Sequence, residues 1–164
     1  MGIIRGRVFK YGDNVNTDVI FPGKYTYTVT EPEEIAKHAL EDLDPDFIKK
    51  VKPNDIIVAG NNFGCGSSRE QAAFCLKYAR VGAVIAKSFA RIYFRNCINA
   101  GLPILMSSEI VDNIENDEEI EIDFEKGIVK TKQGIFNFPP LPPEVLQILN
   151  AGGLIEYIKQ DRAE

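Results

Sequence analysis

The sequence predicts an α/β fold in which a mixed central sheet is flanked by helices. Residues 56–59 and 83–86 are short continuous apolar runs, and a helical pattern of small and apolar residues lies between them. A strand–helix–strand unit of this kind places its two strands parallel, with a right-handed connection. Residues 118–138 instead alternate between apolar and polar residues and contain two turns that end in glycine, which is typical of an antiparallel β-meander.

The N-terminal part of the chain predicts an opening strand, an exposed β-prone segment and two helices. The opening strand covers residues 3–10, and turn-forming residues follow it. Residues 24–30 are rich in threonine and tyrosine, so they favour an edge strand. Thr30 precedes an acidic first turn with an early proline, which predicts a helix that runs to about Leu40. A shorter helix is expected over residues 44–50.

The rest of the chain predicts three more helices, one more strand and an amphipathic tail. These are helices over 70–79, 89–98 and 144–150, a strand over 102–106 and a tail over 154–159. Eight acidic residues lie between Asp112 and Glu125, yet the apolar residues among them alternate. This acidic run is therefore predicted to be a solvated face of the β-meander and not a site.

The length and composition are those of one globular domain. The chain has 164 residues, of which 45% are hydrophobic and 26% charged. A net charge of −5 and scattered arginines argue against a nucleic-acid partner. No apolar run approaches the roughly 20 residues that span a bilayer, and the N-terminus lacks the apolar core of a signal peptide. We therefore expect a cytoplasmic protein.

The cysteines and the single histidine do not predict a metal site in this chain. The three cysteines form neither a disulfide framework nor a Cys-x-x-Cys pair. Cys75 and Cys97 fall within apolar helical patterns, where a small buried side chain is the expected identity. His38 lies in a polar helical stretch and is expected at the surface.

A glycine-rich turn at residues 60–69 is the strongest candidate for a functional site. It holds three glycines, two serines and an arginine directly before a predicted helix. Glycines allow a close backbone approach, free N–H groups at a helix end attract anions, and the Arg69 guanidinium suits a carboxylate or phosphate. A plainer interpretation is that Ser67 and Ser68 each begin a capping box and only start the helix. At this point both interpretations are open.

Three segments carry a family resemblance. They are Gly-Asp-Asn-Val-Asn-Thr-Asp at 12–18, Asn-Phe-Gly-Cys-Gly-Ser-Ser-Arg-Glu at 62–70 and Ala-Lys-Ser-Phe-Ala-Arg-Ile at 86–92. In this order they resemble the small subunits of 3-isopropylmalate dehydratase, whose wider kin are homoaconitase small subunits and the mobile C-terminal domain of aconitase. The likeness covers nearly the whole chain. It implies one swivelling β/β/α domain over residues 1–164, with the meander and last helices at about 118–160.

The resemblance also implies a reaction, a partner and a set of site residues. The reaction is a reversible dehydration and rehydration that moves a hydroxyl between neighbouring carbons. A large subunit, in a heterodimer or heterotetramer, holds a [4Fe-4S] cluster, and this chain carries no cofactor. Ser67 matches the catalytic base, and Ser68 and Arg69 match residues that bind a substrate carboxylate. Asp18 matches a catalytic-site aspartate in the hydrogen-bonding network.

Residues 23–30 match the loop that selects the substrate in this family. Homoaconitase small subunits resembling this chain carry Tyr-Leu-Arg-Thr there, and the arginine binds the variable carboxylate. Here Tyr27 stands at the arginine position and Thr28 follows it, so both are expected to be substrate-binding residues. A buried carboxylate without a partner is costly, so an apolar, branched variable group is expected.

This loop favours 2- and 3-isopropylmalate as substrates, which places the reaction in leucine biosynthesis. The loop is not the usual aliphatic one, so a related hydro-lyase that acts on homocitrate, dimethylmalate or methylcitrate stays open. A non-catalytic module that binds carboxylates with the same helix end is a further alternative.

Overall fold

Seven strands form one sheet in the computed structural model, which describes residues 2–163. The strands are β1 Ile4–Lys10, β2 Ile56–Ala59, β3 Ala83–Ala86, β4 Ile104–Met106, β5 Glu119–Asp123, β6 Ile128–Thr131 and β7 Gly134–Asn137. Their order across the sheet is β4-β3-β2-β1-β5-β6-β7. The first four are parallel, and β5, β6 and β7 each pair antiparallel. The predicted mixed sheet, with its strand–helix–strand unit and its meander, is confirmed.

Eight α-helices lie within the described residues. They are α1 Thr17–Ile20, α2 Pro32–Lys37, α3 Phe47–Lys50, α4 Gln71–Tyr78, α5 Arg91–Ala100, α6 Ser108–Asp112, α7 Pro143–Ala151 and α8 Leu154–Ala163. The sequence does not predict α1 or α6, because four or five residues are too few to show a helical period. Between residues 2 and 163, no helix has both the length and the apolar character needed to cross a membrane.

The parallel strands are covered on both faces. In β2, Ile56 and Val58 pack into the core cluster shared with α6 and the meander, whereas Ile57 and Ala59 pack into the cluster under α2, α4 and α5. All four side chains are fully buried. A continuous apolar run is therefore what this two-sided position requires.

Residues 24–30 do not form the predicted edge strand. Gly23–Tyr25 is a single 3₁₀ turn, and the chain continues as a turn through residue 28. The Thr26 hydroxyl donates to the Gly23 carbonyl at 2.8 Å, and the Val29 N–H donates to the Tyr25 carbonyl at 3.1 Å. Such local hydrogen bonds compete with a strand, so the β propensity of these residues is misleading.

The helix after this loop is also shorter than predicted. It ends at Lys37 with His38 as its C-cap. Leu40 has a φ of 58°, in the left-handed region, which excludes a helix that runs to this residue. Thr30 is not its N-cap, which is the next residue along the chain. His38 is half-buried and not a surface residue, since its ring stacks on that of Tyr25 with centroids 3.8 Å apart.

One member of the acidic run is buried, which corrects the prediction of a wholly solvated face. Glu118 is 3% exposed. Its carboxylate accepts hydrogen bonds from the backbone N–H groups of Glu115 at 2.7 Å and Lys132 at 3.1 Å. Glu118 thereby ties the loop before β5 to the turn between β6 and β7.

The loop after β2 passes directly over the ring of Tyr93 in α5. Gly64 has a φ of +84°, and a side-chain carbon at this position would collide with the ring. Tyr93 is 2% exposed, its hydroxyl donates to the Ala72 carbonyl at 2.9 Å, and Phe63 packs edge-on against it at 5.5 Å. Glycine is therefore required both for the backbone conformation and for the close approach.

The Glu118→Ala variant should lower the free energy of unfolding by about 1–3 kcal/mol, because two backbone N–H groups lose their acceptor. Glu119 is the control: its side chain is exposed, so Glu119→Ala should stay within about 0.5 kcal/mol of the wild type. Urea unfolding followed by circular dichroism measures both. Equal effects of the two substitutions would contradict the role assigned to Glu118.

The Gly64→Ala variant should lower the free energy of unfolding by about 2–5 kcal/mol, since a left-handed alanine and a clash with Tyr93 add together. The control is Gly152, which has a φ of +95° but no atom within 4 Å of the position that an alanine methyl would occupy. Gly152→Ala should cost only the backbone part, about 1–2 kcal/mol. Thermal unfolding compares the variants, and equal losses would show that the contact with Tyr93 contributes nothing.

Candidate functional site

The loops that follow β1, β2 and β3 lie together at the carboxyl edge of the parallel strands. They cover residues 11–16, 60–70 and 87–90, and they contain most of the three segments that carry the family resemblance. In open α/β sheets, this edge is where ligands bind. The positions of the three segments in the fold therefore agree with a shared functional role.

Main-chain hydrogen bonds join the first two loops. Asn14 N–H donates to Asn61 O, Gly64 N–H to Val15 O and Thr17 N–H to Cys65 O, each at 2.8 Å. The result is a short parallel bridge centred on Asn16 and Cys65. Thr17 is thereby held beside the turn that contains Ser67 and Ser68, which is called the serine-containing turn below.

The loop after β3 is joined to the loop after β2 in the same way. Phe63 N–H donates to the Ser88 carbonyl at 3.0 Å, and Ala90 N–H donates to the Phe63 carbonyl at 2.9 Å. The Ser88 hydroxyl accepts a hydrogen bond from Asn62 N–H at 2.8 Å. These contacts place the start of α5 next to the serine-containing turn.

A cavity of about 300 Å³ lies where the three loops meet. It is lined by Thr17, Gly64, Gly66, Ser67, Ser68, Arg69, Ala90, Arg91, Ile92, Tyr93 and Asn96. The lining includes two arginines and no acidic residue, although the chain as a whole has a net charge of −5. The local charge therefore favours an anionic ligand.

Ser67 and Ser68 do not cap α4, so the capping-box interpretation is wrong. The helix begins at Gln71, and its N-cap, Glu70, makes no side-chain hydrogen bond. Both serines are exposed, and within residues 2–163 neither hydroxyl has a hydrogen-bond partner. The two hydroxyls are therefore available to a ligand.

The backbone around Ser67 offers unused donors. Within the described part of the chain, the N–H groups of Gly66, Ser67 and Ser68 make no hydrogen bond. Gly66 has a φ of +98°, and successive N–H groups around a left-handed residue form a concavity that binds anions. A carboxylate or an oxyanion at this turn would be stabilised.

Arg69 and Asp18 form an ion pair beside the cavity. Their Nη2 and Oδ1 atoms lie 2.6 Å apart, and the Arg69 side chain is 13% exposed whereas that of Asp18 is 70% exposed. The Thr26 hydroxyl lies 3.5 Å from Arg69 Nη1. Gly23 leaves room for the pair, since a Cβ there would lie 3.2 Å from an atom of each partner. The guanidinium is thus oriented while its other N–H groups stay available for a carboxylate.

Tyr27 and Thr28 are not brought to the cavity in this chain. Tyr27 is 93% exposed, Thr28 is also exposed, and neither belongs to the cavity lining. Thr26 is the member of the loop that approaches Arg69. The substrate-binding roles of Tyr27 and Thr28 stay predictions.

Sequence reasoning does not identify Thr17, Arg91 or Ile92 as site residues, although all three line the cavity. Ile92 is 56% exposed and contributes an apolar wall. Each lies within a segment that carries the family resemblance, and this is the signal that could have found them. Their residue types alone are not distinctive, because the chain has several other threonines, arginines and isoleucines.

The cysteines serve mainly as packing residues. Cys75 and Cys97 are fully buried in the core, as predicted, and burial raises the pKa of both thiols. Cys65 is half-buried and contributes its carbonyl to the bridge with the loop after β1. Among residues 2–163, no group of three or more histidine, cysteine or acidic side chains is arranged to hold a metal ion.

Comparisons with known proteins agree on one family. The aconitase C-terminal domain profile matches residues 10–109. The 3-isopropylmalate dehydratase small subunit of Caldicellulosiruptor saccharolyticus is 54% identical over 96% of this chain and 91% of its own length. The small subunit of the same name from Aquifex aeolicus is 53% identical over 97% of this chain and 96% of its own length.

A solved structure extends the comparison to the fold. The crystal structure of 3-isopropylmalate dehydratase (leuD) from Methanocaldococcus jannaschii matches with a TM-score of 0.90 at 46% identity. The match covers 98% of this chain and 96% of that one. The chain therefore belongs to the family of 3-isopropylmalate dehydratase small subunits, which is built on the aconitase C-terminal domain.

Proposed function

We propose that this chain is the catalytic small subunit of a hydro-lyase that interconverts 2- and 3-isopropylmalate by dehydration and rehydration, a step of leucine biosynthesis. The observation that carries the proposal is the cavity that gathers Ser67, Ser68 and Arg69 beside unused backbone donors. It occurs in a chain that is 50–54% identical to several relatives named as small subunits of 3-isopropylmalate dehydratase.

Ser67 acts as the base in this proposal. A serine oxygen is a useful base only if its anion is stabilised. The unused N–H groups of residues 66–68 and the Arg69 guanidinium provide that stabilisation. The Ser67 oxygen takes the carbon-bound proton of the substrate in the dehydration direction and returns it in the rehydration direction. Exclusion of water from the cavity would strengthen these interactions.

Ser68 and Arg69 bind a substrate carboxylate. The Arg69 guanidinium can bind a carboxylate through two parallel N–H donors, and the Ser68 hydroxyl adds a third donor. Asp18 contributes by holding the guanidinium in place at 2.6 Å. Because Asp18 is largely exposed, its carboxylate is also accessible to the substrate or to the partner chain.

The rest of the cavity supports a diacid with an apolar substituent. Arg91 is a second arginine of the lining, so each of two carboxylates has a candidate cationic partner. Ala90, Ile92 and the Tyr93 ring form an apolar wall that suits a branched alkyl group. An uncharged Tyr27 in the selecting loop supports the same choice over a tricarboxylate such as homocitrate.

The proposed partner is a large subunit that carries a [4Fe-4S] cluster. When bound, that cluster supplies a Lewis acid for the substrate hydroxyl. The cysteines of this chain do not fit the role of cluster ligands, because Cys75 and Cys97 are enclosed in the core. The exposed serines leave the cavity open for a second chain to cover, in a heterodimer or heterotetramer. Three free thiols agree with a reducing cytoplasm.

The Ser67→Ala variant should reduce turnover of isopropylmalate by about 10²- to 10⁴-fold, because the reaction loses its base. The chain is mixed anaerobically with its large subunit, and the absorbance of the alkene product is followed in the ultraviolet. Ser108→Ala is the control: Ser108 is exposed on α6 and outside the cavity lining, so it should leave turnover unchanged. Undiminished turnover in Ser67→Ala would exclude the serine as base.

The assembled enzyme should prefer isopropylmalate to homocitrate by at least about 100-fold in kcat/KM, since a third carboxylate lacks a cationic partner. Dimethylmalate completes the substrate panel. Tyr27→Arg should raise activity on homocitrate relative to isopropylmalate, whereas the remote Tyr78→Arg should not. A wild-type preference for the tricarboxylate would refute the role given to Tyr27, and a preference for dimethylmalate would identify the related hydro-lyase.

A further inference from the structure

The Thr17 hydroxyl is a buried polar group without a partner at the edge of the cavity. Thr17 is 2% exposed, and its Oγ1 atom is closed to solvent and makes no hydrogen bond within residues 2–163. It is the single buried side-chain oxygen or nitrogen in that part of the chain that lacks a partner. Burying a hydroxyl in this way costs free energy, so a valine would suit the free chain better.

The backbone of Thr17 is held firmly, which fixes the direction of its side chain. Its N–H donates to Cys65 O at 2.8 Å, and its carbonyl accepts from Phe21 N–H at 2.9 Å. The preceding residue, Asn16, caps α1 through its side chain. The unpartnered hydroxyl is therefore a consequence of an ordered local structure.

The hydroxyl lies against the residue that directly precedes Ser67. A Cβ at Gly66 would sit 3.3 Å from Thr17 Oγ1, so only a glycine backbone separates the hydroxyl from the turn. Gly64 and Gly66 both have positive φ values. The conformation of this turn thus depends on glycine at two of the three positions before the serines.

We propose that Thr17 is a positioning residue whose hydroxyl donates a hydrogen bond to the Ser67 oxygen in the assembled enzyme. This inference rests on the proposed function. Ser67 releases its proton to water before the reaction and receives the carbon-bound proton during it, and Thr17 keeps its own proton throughout. The extra donor matters because much of the Arg69 charge is already neutralised by Asp18.

The test compares Thr17→Val, which removes the hydroxyl at nearly constant shape, with Thr17→Ser, which keeps it. In the reconstituted enzyme, Thr17→Val should lower kcat by about 10- to 100-fold, the effect of one hydrogen bond to a charged group. KM should stay within about threefold of the wild type, because the Thr17 hydroxyl is closed to solvent and is proposed to meet Ser67 and not the substrate. Thr17→Ser should restore kcat to within about threefold.

Thermal unfolding of the isolated chain separates this role from a structural one. Thr17→Val should unfold at the same temperature as the wild type or higher, since an unpaired buried hydroxyl is removed. Thr131→Val is the matched control: the Thr131 hydroxyl accepts from Gln133 N–H at 2.9 Å in a turn outside the cavity lining. It should lower the unfolding temperature and leave kcat unchanged.

Each other outcome overturns the inference. An unchanged kcat in Thr17→Val would show that the proposed hydrogen bond does not form. A raised KM at constant kcat would show that the hydroxyl bonds the substrate and not Ser67. A clearly lower unfolding temperature in Thr17→Val makes the hydroxyl structural. A wild-type complex that is inactive on every acid of the panel contradicts the proposed function itself, and the unfolding comparison then decides whether the hydroxyl is a structural group.

Discussion

The main-chain hydrogen bonds between three adjacent loops are the interaction on which this site depends. Parallel strands deliver the loops to one edge of the sheet, but strand pairing ends at Lys10, Ala59 and Ala86. Beyond those residues, backbone bonds of 2.8–3.0 Å continue the alignment. Gly64 adds a contact with α5, because the absence of a side chain lets the loop lie directly on Tyr93. The serine-containing turn is therefore supported by α5 and by the loops that follow β1 and β3.

This support allows the candidate site groups to stay without a hydrogen-bond partner in the chain itself. The serine hydroxyls and three consecutive N–H groups have no partner within the described residues. Residues 66–68 are exposed, so water satisfies these groups until a ligand replaces it. Arg69 is treated differently, since its ion pair with Asp18 holds a long, flexible side chain in one orientation. The chain thus orders the cation in advance and leaves the neutral donors free, which is the preorganisation that an oxyanion requires.

The sequence predicts the sheet well and the site only in outline. Apolar runs such as 56–59 can be recognised in the sequence because strands that are buried on both faces have no polar positions. The meander can be recognised because one of its faces is exposed to solvent, which produces an alternating pattern. The prediction for residues 24–30 is wrong because hydrogen bonds within a turn outweigh β propensity. The capping spacing at Ser67 is equally misleading, since α4 begins only at Gln71. The spacing in the sequence shows only that a capping box is possible, whereas the tertiary structure determines where the helix starts.

Thr17 shows a different limit of sequence reasoning. A threonine after an asparagine is unremarkable in a sequence, and its importance becomes visible only when its hydroxyl is found buried and unpaired beside the serine-containing turn. Natural proteins satisfy nearly all buried polar groups, so an exception in an otherwise well-bonded loop points to a partner that is absent from the free chain. The exposed serines and the open cavity point to the same conclusion. The groups that lack a partner within the described residues lie together on one side of the molecule, which is where we propose that a second chain and the substrate complete the site.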